Sequence, residues 1–138
     1  MFKKSMFCLF TLLFSLSVFA EGTGKKGPAT FQQRTGEGLY EALCQSCHMP
    51  EGKGAHGAGY YPALSKANSN MVSSMYIADI TMYGRNGMPG FGGLLDDEQV
   101  TEIVNYVRTH FGNDYKDALK VEDVNSIRVD SHEYVDMD

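Results

Sequence analysis

The chain has 138 residues, with 12 Lys or Arg against 17 Asp or Glu, so its formal net charge is −5. This acidic balance makes nucleic acids and anionic membrane surfaces poor candidate partners. The length suits one small domain, and two of the three cysteines lie close together, at Cys44 and Cys47.

Residues 1–20 have the features of a secretory signal peptide. Two lysines precede an apolar segment that ends at the small residue Ala20. The apolar segment is shorter than the about 20 residues that a membrane-spanning helix needs. We therefore expect cleavage after Ala20, which would remove Cys8 and two lysines and change the formal charge from −5 to −7. An uncleaved membrane anchor is the alternative.

The next part of the chain leads into the first predicted helix. Residues 21–34 are rich in Gly, Lys and Thr and predict a flexible lead-in. Thr35 is suited to cap a helix over residues 36–47, with Leu39 and Leu43 on one side. We expect the folded domain to cover residues 35–112.

The segment Cys44-Gln45-Ser46-Cys47-His48 has the form C-x-x-C-H, which predicts attachment of haem c. Two thiols about one helical turn apart can add to the two vinyl groups of one haem, and His48 then ligates the iron. A zinc site would need further ligands, and no cysteine follows Cys47. A redox dithiol would be expected in a βαβ setting, which the sequence lacks. Because the motif occurs once, we expect one haem.

Two loops enclose a second predicted helix. Residues 49–61 are rich in glycine and proline and predict a loop. Residues 70–83 predict a helix, because four apolar side chains recur at helical spacing: Val72, Met75, Tyr76 and Ile80. Residues 84–93 form a glycine-rich segment that contains Met88 and Pro89.

Met88 is the predicted second axial ligand of the iron. It lies in a loop, Pro89 restricts its backbone to extended conformations, and the surrounding glycines allow the loop to lie close to a haem face. The other methionines after residue 20 directly follow the histidine, lie on the predicted helix or lie in the tail: Met49, Met71, Met75, Met82 and Met137. Methionine on a helix more often packs in a core, and the same packing in a turn is the alternative for Met88.

The strongest helix signal begins after Asp96. Asp96 is a natural N-cap, and Gln99 three residues later completes a capping box. One predicted face is apolar: Val100, Ile103, Val104, Val107 and Phe111. The opposite face is polar: Thr101, Glu102, Asn105, Arg108 and Thr109. Gly112 would end the helix. No segment alternates convincingly as a strand, so the predicted fold class is all-α.

Two other side chains, Arg85 and His56, could contribute to a haem site. Arg85 could pair with a haem propionate or could be an exposed loop residue, and the sequence leaves both open. His56 could replace methionine as a ligand, although a solvated loop histidine is the more common case. His110 and His132 do not have the spacing of ligands.

Several of these segments in combination resemble the class I bacterial cytochromes c, which hold one haem with His/Met ligation. They are residues 36–40, 44–48, 61–64 and 86–91, together with the helix signal at 94–108, so that the resemblance covers about residues 36–112. The resemblance implies a small cytochrome c fold with His48 and Met88 as iron ligands. It also implies that the Pro62 carbonyl accepts the Nδ1 proton of His48, and that the terminal helices cross near Gly36 and Tyr40.

Residues 113–138 extend beyond the smallest members of that family. They contain eight acidic and three basic residues, and residues 121–128 could form a short helix with Val121, Val124 and Ile127 on one side. A similar extension occurs on cytochromes that accompany periplasmic dehydrogenases. We expect a solvated acidic tail, with a docking element as the alternative, and neither would contribute to the haem wall.

Iron with two protein ligands has no open position for a substrate. We therefore expect a periplasmic one-electron carrier or electron-transfer subunit, not an enzyme, that cycles haem iron between Fe(III) and Fe(II). Its partners would be redox proteins: a dehydrogenase or quinol-oxidising complex as donor and a terminal acceptor. The alternatives are a haem enzyme such as a peroxidase and a gas-binding sensor, both of which need an open sixth position.

Overall fold

The structure, a computed structural model, describes the backbone of residues 31–135 and the side chains of residues 31–128. The predicted signal peptide, most of the lead-in, Cys8 and Met137 lie outside this part of the chain, and the side chain of His132 lies outside the described side chains. The helices are α1 (Gly36–Leu39), α2 (Gln45–His48), α3 (Ser74–Tyr83), α4 (Asp97–Thr109) and α5 (Val121–Val135). The prediction of an all-α fold is confirmed, apart from one hairpin of two-residue strands that was not predicted, β1 (Ala55–His56) and β2 (Tyr60–Tyr61).

A five-residue π-helical segment, Tyr40–Cys44, joins α1 to α2, so the predicted first helix is continuous but not uniform. The backbone N–H of Gln45 donates to the carbonyl of Tyr40, five residues earlier. Because a π turn holds one more residue than an α turn, side chains after it are rotated by about 100° about the helix axis. The C-x-x-C-H residues after the π segment therefore lie on a different face of the helix from the one that a continuous α-helix would give them relative to the buried Tyr40.

Helix α1 crosses α4 at Gly36, as the resemblance implied. A Cβ atom at Gly36 would lie 2.4 Å from the carbonyl oxygen of Glu102 and 2.5 Å from Cβ of Tyr106. Only glycine allows the two helices to approach this closely. Beside the crossing, the rings of Tyr40 and Tyr106 lie 5.8 Å apart.

The second predicted helix is interrupted at Ser73. Residues Ser69–Val72 form a 3₁₀ turn, and the Ser73 side chain caps α3 by accepting from the backbone N–H of Tyr76. The predicted apolar stripe is not the face buried in the protein core, since Val72 and Met75 are exposed. The core instead contains the opposite side of this region: Met71, Ile77, Ala78 and Met82.

Helix α4 begins as predicted but is buried over more of its surface. Both hydrogen bonds of the Asp96–Gln99 capping box are present. The four predicted apolar residues from Val100 to Val107 are buried. The prediction that Thr101 and Arg108 are solvent-facing is wrong, because both are buried, Arg108 with only 1% of its surface exposed.

The chain after Gly112 covers this additional surface of the molecule. Leu119 is 3% exposed and Val124, on α5, is fully buried, and both belong to the same core as α3 and α4. Asn105 holds the backbone of Leu119 against α4, since its side chain donates to the Leu119 carbonyl at 3.0 Å and accepts from the Leu119 N–H at 2.8 Å. The expectation of a solvated tail is therefore wrong for residues 113–128, which are part of the fold.

Candidate haem site

The C-x-x-C-H motif lies at the C-terminal end of the first helical region. Cys44 is the last residue of the π segment, while Cys47 and His48 belong to the single turn of α2. Both thiols are free and half-buried, and His48 is buried with 7% of its surface exposed. The helix therefore brings together two thiols and one imidazole within five consecutive residues.

The hydrogen bond that the resemblance implied for His48 is present. Its Nδ1 atom lies 2.9 Å from the carbonyl oxygen of Pro62. Because a carbonyl oxygen can only accept, Nδ1 must carry the proton, and the lone pair of the neutral ring is then on Nε2. Nε2 has no hydrogen-bond partner among the described residues. This arrangement suits Nε2 for binding a metal ion, with Pro62 fixing the ring orientation.

Gly54 brings the Pro62 carbonyl to His48. Its N–H donates to the His48 carbonyl at 3.1 Å, which folds the loop back on the motif. Its φ angle is 68°, and a Cβ atom there would lie 2.1 Å from the Tyr61 carbonyl oxygen and 2.7 Å from the Pro62 carbonyl carbon. A side chain at position 54 would therefore displace the peptide that contacts His48. The sequence analysis did not single out this residue, although glycine in a loop after the motif was a signal.

Burial and the neighbouring Cys47 raise the pKa of the Cys44 thiol to about 12. Cys44 is therefore a protonated thiol at neutral pH. A redox-active dithiol needs the opposite shift, since the thiolate is the reactive form. The environment of Cys44 thus argues against a thioredoxin-like role for the motif.

Met88 lies in a tight loop after α3 and is half-buried. Its backbone forms two hydrogen bonds with Arg85, each 3.0 Å long, which close the turn. Gly84 has a φ angle of 76°, and a Cβ atom there would lie 2.5 Å from the Met88 carbonyl oxygen. The loop then returns to α3, because the N–H groups of Phe91 and Gly92 donate to the carbonyls of Thr81 and Met82. Its backbone is thus defined on both sides of the methionine.

The positions of the other methionines favour Met88 as a ligand. Met71 and Met82 are buried in the protein core, with 2% and 3% of their surfaces exposed, so they are not available. Met49 follows the histidine, and its carbonyl accepts a 2.6 Å hydrogen bond from the Tyr40 hydroxyl. Met75, on the exposed side of α3, is the remaining alternative within the described residues.

The other polar candidates have local aromatic partners. The exposed Arg85 places its guanidinium 5.6 Å from the ring centre of Tyr76, a cation–π contact. The exposed His56 lies on the hairpin with its ring 4.8 Å from that of Tyr60. Among the predicted site residues, hydrogen bonds join His48 to Pro62 and the backbone of Arg85 to that of Met88. A contact between Arg85 and a haem propionate stays a prediction.

The described residues fit a haem in their chemistry and in their exposed apolar surface. Two free thiols and an available imidazole nitrogen are the atoms that haem c attachment requires. Exposed apolar side chains lie on the 3₁₀ turn before α3, on α3 itself and in the loop before α4: Val72, Met75, Tyr83 and Leu94. Large exposed apolar surface is costly in water, and a planar apolar group could cover such a surface. In the part of the chain that the structure describes, no helix is long and apolar enough to span a membrane.

Comparison with known proteins identifies the family of the chain. The family described as cytochrome c oxidase, cbb3-type, subunit III matches residues 31–107, more than half of the chain. The chain is 38% identical over 109 residues to the fructose dehydrogenase cytochrome subunit of Gluconobacter japonicus, covering 68% of the chain and 22% of that subunit. It is 30% identical to the gluconate 2-dehydrogenase cytochrome c subunit of Pantoea cypripedii, covering 70% of the chain and 24% of that subunit.

A shorter relative matches over almost its whole length. Cytochrome c6 of Pyropia yezoensis is 32% identical, and the alignment covers 76% of the chain and 92% of that protein. The chain belongs to the cytochrome c family, whose cofactor is haem c. It spans less than a quarter of the length of the two dehydrogenase subunits above.

Proposed function

We propose that the chain holds one haem c through thioether bonds to Cys44 and Cys47, with His48 Nε2 and the Met88 sulfur as axial ligands. The observation that supports this most strongly is the His48–Pro62 hydrogen bond within a C-x-x-C-H motif, because it leaves Nε2 available for iron. The loop hydrogen bonds around Met88 and the burial of Met71 and Met82 support the choice of methionine.

Each proposed site residue has a distinct role. The Pro62 carbonyl orients the imidazole and increases its basicity as a ligand. The Met88 thioether raises the reduction potential relative to a second histidine. Gly54 and Gly84 allow the two loops to approach as closely as these contacts require. The bound haem supplies the one-electron couple of iron, Fe(III)/Fe(II).

The function that this site supports best is electron transfer rather than catalysis. With His48 and Met88 on the two axial positions, no position is open for a substrate. The relatives also support this role, since they include cytochrome subunits of dehydrogenases and cytochromes c6. Arg85 would contribute a cation near a propionate, which its exposure permits.

We place this activity in the periplasm, with a dehydrogenase or quinol-oxidising complex as donor and a terminal acceptor as the second partner. The signal-like N-terminal sequence supports the compartment, and the dehydrogenase cytochrome subunits among the relatives support a donor of this class.

The test replaces the proposed sixth ligand in the haem-loaded protein. Methionine on ferric haem gives a weak charge-transfer band in the far red, so we expect the band in the natural protein and its loss in Met88→Ala. Covalent haem should remain in that variant by intact mass, because the thioethers do not depend on Met88. The reduction potential should fall, and the ferrous form should bind carbon monoxide.

Met75→Leu is the matched control, because Met75 is the alternative methionine ligand and its side chain is exposed on α3. It should keep the far-red band. Loss of the band in Met75→Leu, with retention in Met88→Ala, would transfer the ligand role to Met75. A natural protein that lacks the band and binds carbon monoxide directly would instead support the open-site alternatives, a haem enzyme or a gas sensor.

A further inference from the structure

Arg128, on α5, is bonded to the segment that follows the Met88 loop. Its guanidinium donates to the Gly92 carbonyl at 2.7 Å and to the Leu95 carbonyl at 3.1 Å. Its Nε donates to the Asp97 carboxylate at 2.6 Å, where the Arg and Asp side chains are 13% and 3% exposed. One side chain of the extension therefore holds two backbone carbonyls and a buried carboxylate in a single arrangement.

The Gly92 peptide is consequently held from two directions. Its N–H donates to the Met82 carbonyl at the end of α3, and its own carbonyl accepts from Arg128. Gly92 and Leu95 are buried, so without the arginine their carbonyl oxygens would lose a partner in a place where water has limited access. A second contact supports the same region, since the hydroxyl of Tyr83, the last residue of α3, donates to the Ile127 carbonyl at 3.4 Å.

We propose that Arg128 is a positioning residue that keeps the Met88 loop closed, so that the C-terminal extension controls how firmly Met88 is held on the iron. The proposal rests on the proposed function, in which Met88 is the sixth ligand. Arg128 does not touch the ligand; it acts through Gly92 and Leu95, which follow Met88 in the same loop. No feature of the sequence pointed to this residue, because two of its acceptors are backbone carbonyls 33 and 36 positions earlier and the third, Asp97, lies 31 positions earlier.

Loop opening can be measured with imidazole as an external ligand for the ferric, haem-loaded protein. Imidazole binds iron only after methionine has left, so its apparent affinity is its intrinsic affinity multiplied by the fraction of open loop. In Arg128→Met, which keeps a long apolar stem without the donors, we expect imidazole to bind about tenfold more tightly, since hydrogen bonds to charged groups contribute at this level.

Two further variants separate positioning from charge. Arg128→Lys keeps the positive charge beside Asp97 but has one point of donation in place of the planar fork, so we expect an intermediate increase in affinity. Arg34→Met is the matched control. Arg34 pairs with the neighbouring carboxylate of Asp96 at 2.5 Å, at the same end of α4, through a largely exposed side chain. It should leave imidazole affinity within about twofold of the natural protein.

Hydrogen exchange gives a readout that does not depend on iron chemistry. The amides of Phe91 and Gly92, which bond to α3, should exchange about tenfold faster in Arg128→Met. The amides of Gly54 and Leu64, in the loop on the histidine side, should keep their rates. Equal acceleration at both sets would indicate general destabilisation and would overturn a positioning role.

The two proposals fail in different ways. Absence of the far-red band in the natural protein, or its retention in Met88→Ala, would refute methionine ligation by Met88. If that band behaves as expected while Arg128→Met and Arg128→Lys both keep natural imidazole affinity and exchange rates, only the role of Arg128 is refuted. Should Arg128→Met fail to fold, the lysine variant alone decides between these outcomes.

Discussion

The two loops that carry the proposed iron-ligand environment are stabilised in different ways. The loop on the histidine side, residues 49–64, is held around His48 by near neighbours: Pro62 bonds to His48 only 14 positions earlier, and Gly54 bonds to the same residue's carbonyl. The extension also contacts this loop at its last residue, because the Asn113 side chain donates to the Leu64 carbonyl at 2.8 Å. The loop on the methionine side, residues 84–95, is held at one end by α3 and at the other by Arg128, from the extension.

This difference suggests that haem attachment and methionine ligation depend on different parts of the chain. Around His48, the contacts lie within the motif and the loop that follows it, and the extension contacts that loop at its last residue, Leu64. The methionine side depends on a segment that lies outside the matched family region of residues 31–107. We infer that the extension can alter methionine ligation while leaving haem attachment unchanged.

The largest effect should come from deleting residues 113–138. The deletion uncovers the core where Leu119 and Val124 pack, and burial of each such side chain contributes roughly 1.5–3 kcal/mol. It also leaves the buried Arg108 without Asp117. We expect the free energy of unfolding of the haem-loaded protein to fall by about 4 kcal/mol or more, measured by urea titration.

Val124→Ala makes the same test without removing backbone, and we expect a loss of about 1–2.5 kcal/mol from this fully buried position. A truncated protein with the natural urea midpoint would show that the extension is a passive cover. The comparison between the two loops would then lose its physical basis.

Gly54→Ala should have the next largest effect, and on the histidine side alone. The positive φ and the close approach to the Tyr61 carbonyl predict a loss of about 2–4 kcal/mol in unfolding free energy. The NMR signal of the His48 Nδ1 proton should shift, because the Pro62 carbonyl moves.

Gly57→Ala is the control, since nothing lies within 4 Å of a Cβ atom there. The Met88 loop offers the contrast, because Phe91 and Gly92 amide exchange should be unchanged in Gly54→Ala. Faster exchange at these amides would show that the two loops are coupled and would contradict the distinction drawn above.

The smallest effect concerns the exposed carboxylate on the extension. The hydrogen bonds from the Arg108 guanidinium, at 2.9 Å, lower the pKa of Asp117 below its usual value. Because the folded pKa is lowered, this carboxylate stabilises the fold fully above the unfolded pKa of about 3.9, and the contribution is lost as pH falls through the folded pKa.

The urea midpoint of the natural protein should therefore exceed that of Asp117→Asn by a small, constant amount between about pH 5 and 8, and the two should converge at lower pH. Glu122→Gln, which neutralises an exposed carboxylate of the same segment, serves as the control for the charge change. A difference that persists unchanged below pH 3 would assign the effect to geometry, not to charge.

The sequence predicted most reliably where a few adjacent residues define the structure. The Asp96–Gln99 capping box formed as expected, because both partners lie within one helical turn. The Gly36 crossing and the Pro62 bond followed from a resemblance, since the sequence alone does not state which distant element will lie against a glycine or a histidine. The roles of the six predicted site residues in binding haem stay predictions.

Prediction was weakest for surfaces that a later segment covers. Arg108 belongs to the polar face of α4 by helical periodicity, yet it is buried because Asp117 and the Val72 carbonyl satisfy its donors. Helical spacing singled out the stripe of Val72 and Met75, which is exposed, whereas Met71 and Met82 on the other side pack in the core. Periodicity locates a face, but it does not identify the partner of that face.

The amino-acid sequence by itself determined the helical class and the start of the best helix, and it predicts the attachment chemistry, because covalent spacing, capping and periodicity act over one or two turns. Only the tertiary structure decided that the acidic extension is part of the core and that Arg128 holds the loop after Met88. The contacts of Arg128 with Gly92 and Leu95 join residues more than 30 positions apart through backbone carbonyls. Every residue type except proline offers the same backbone groups, so sequence carries no local signal for them.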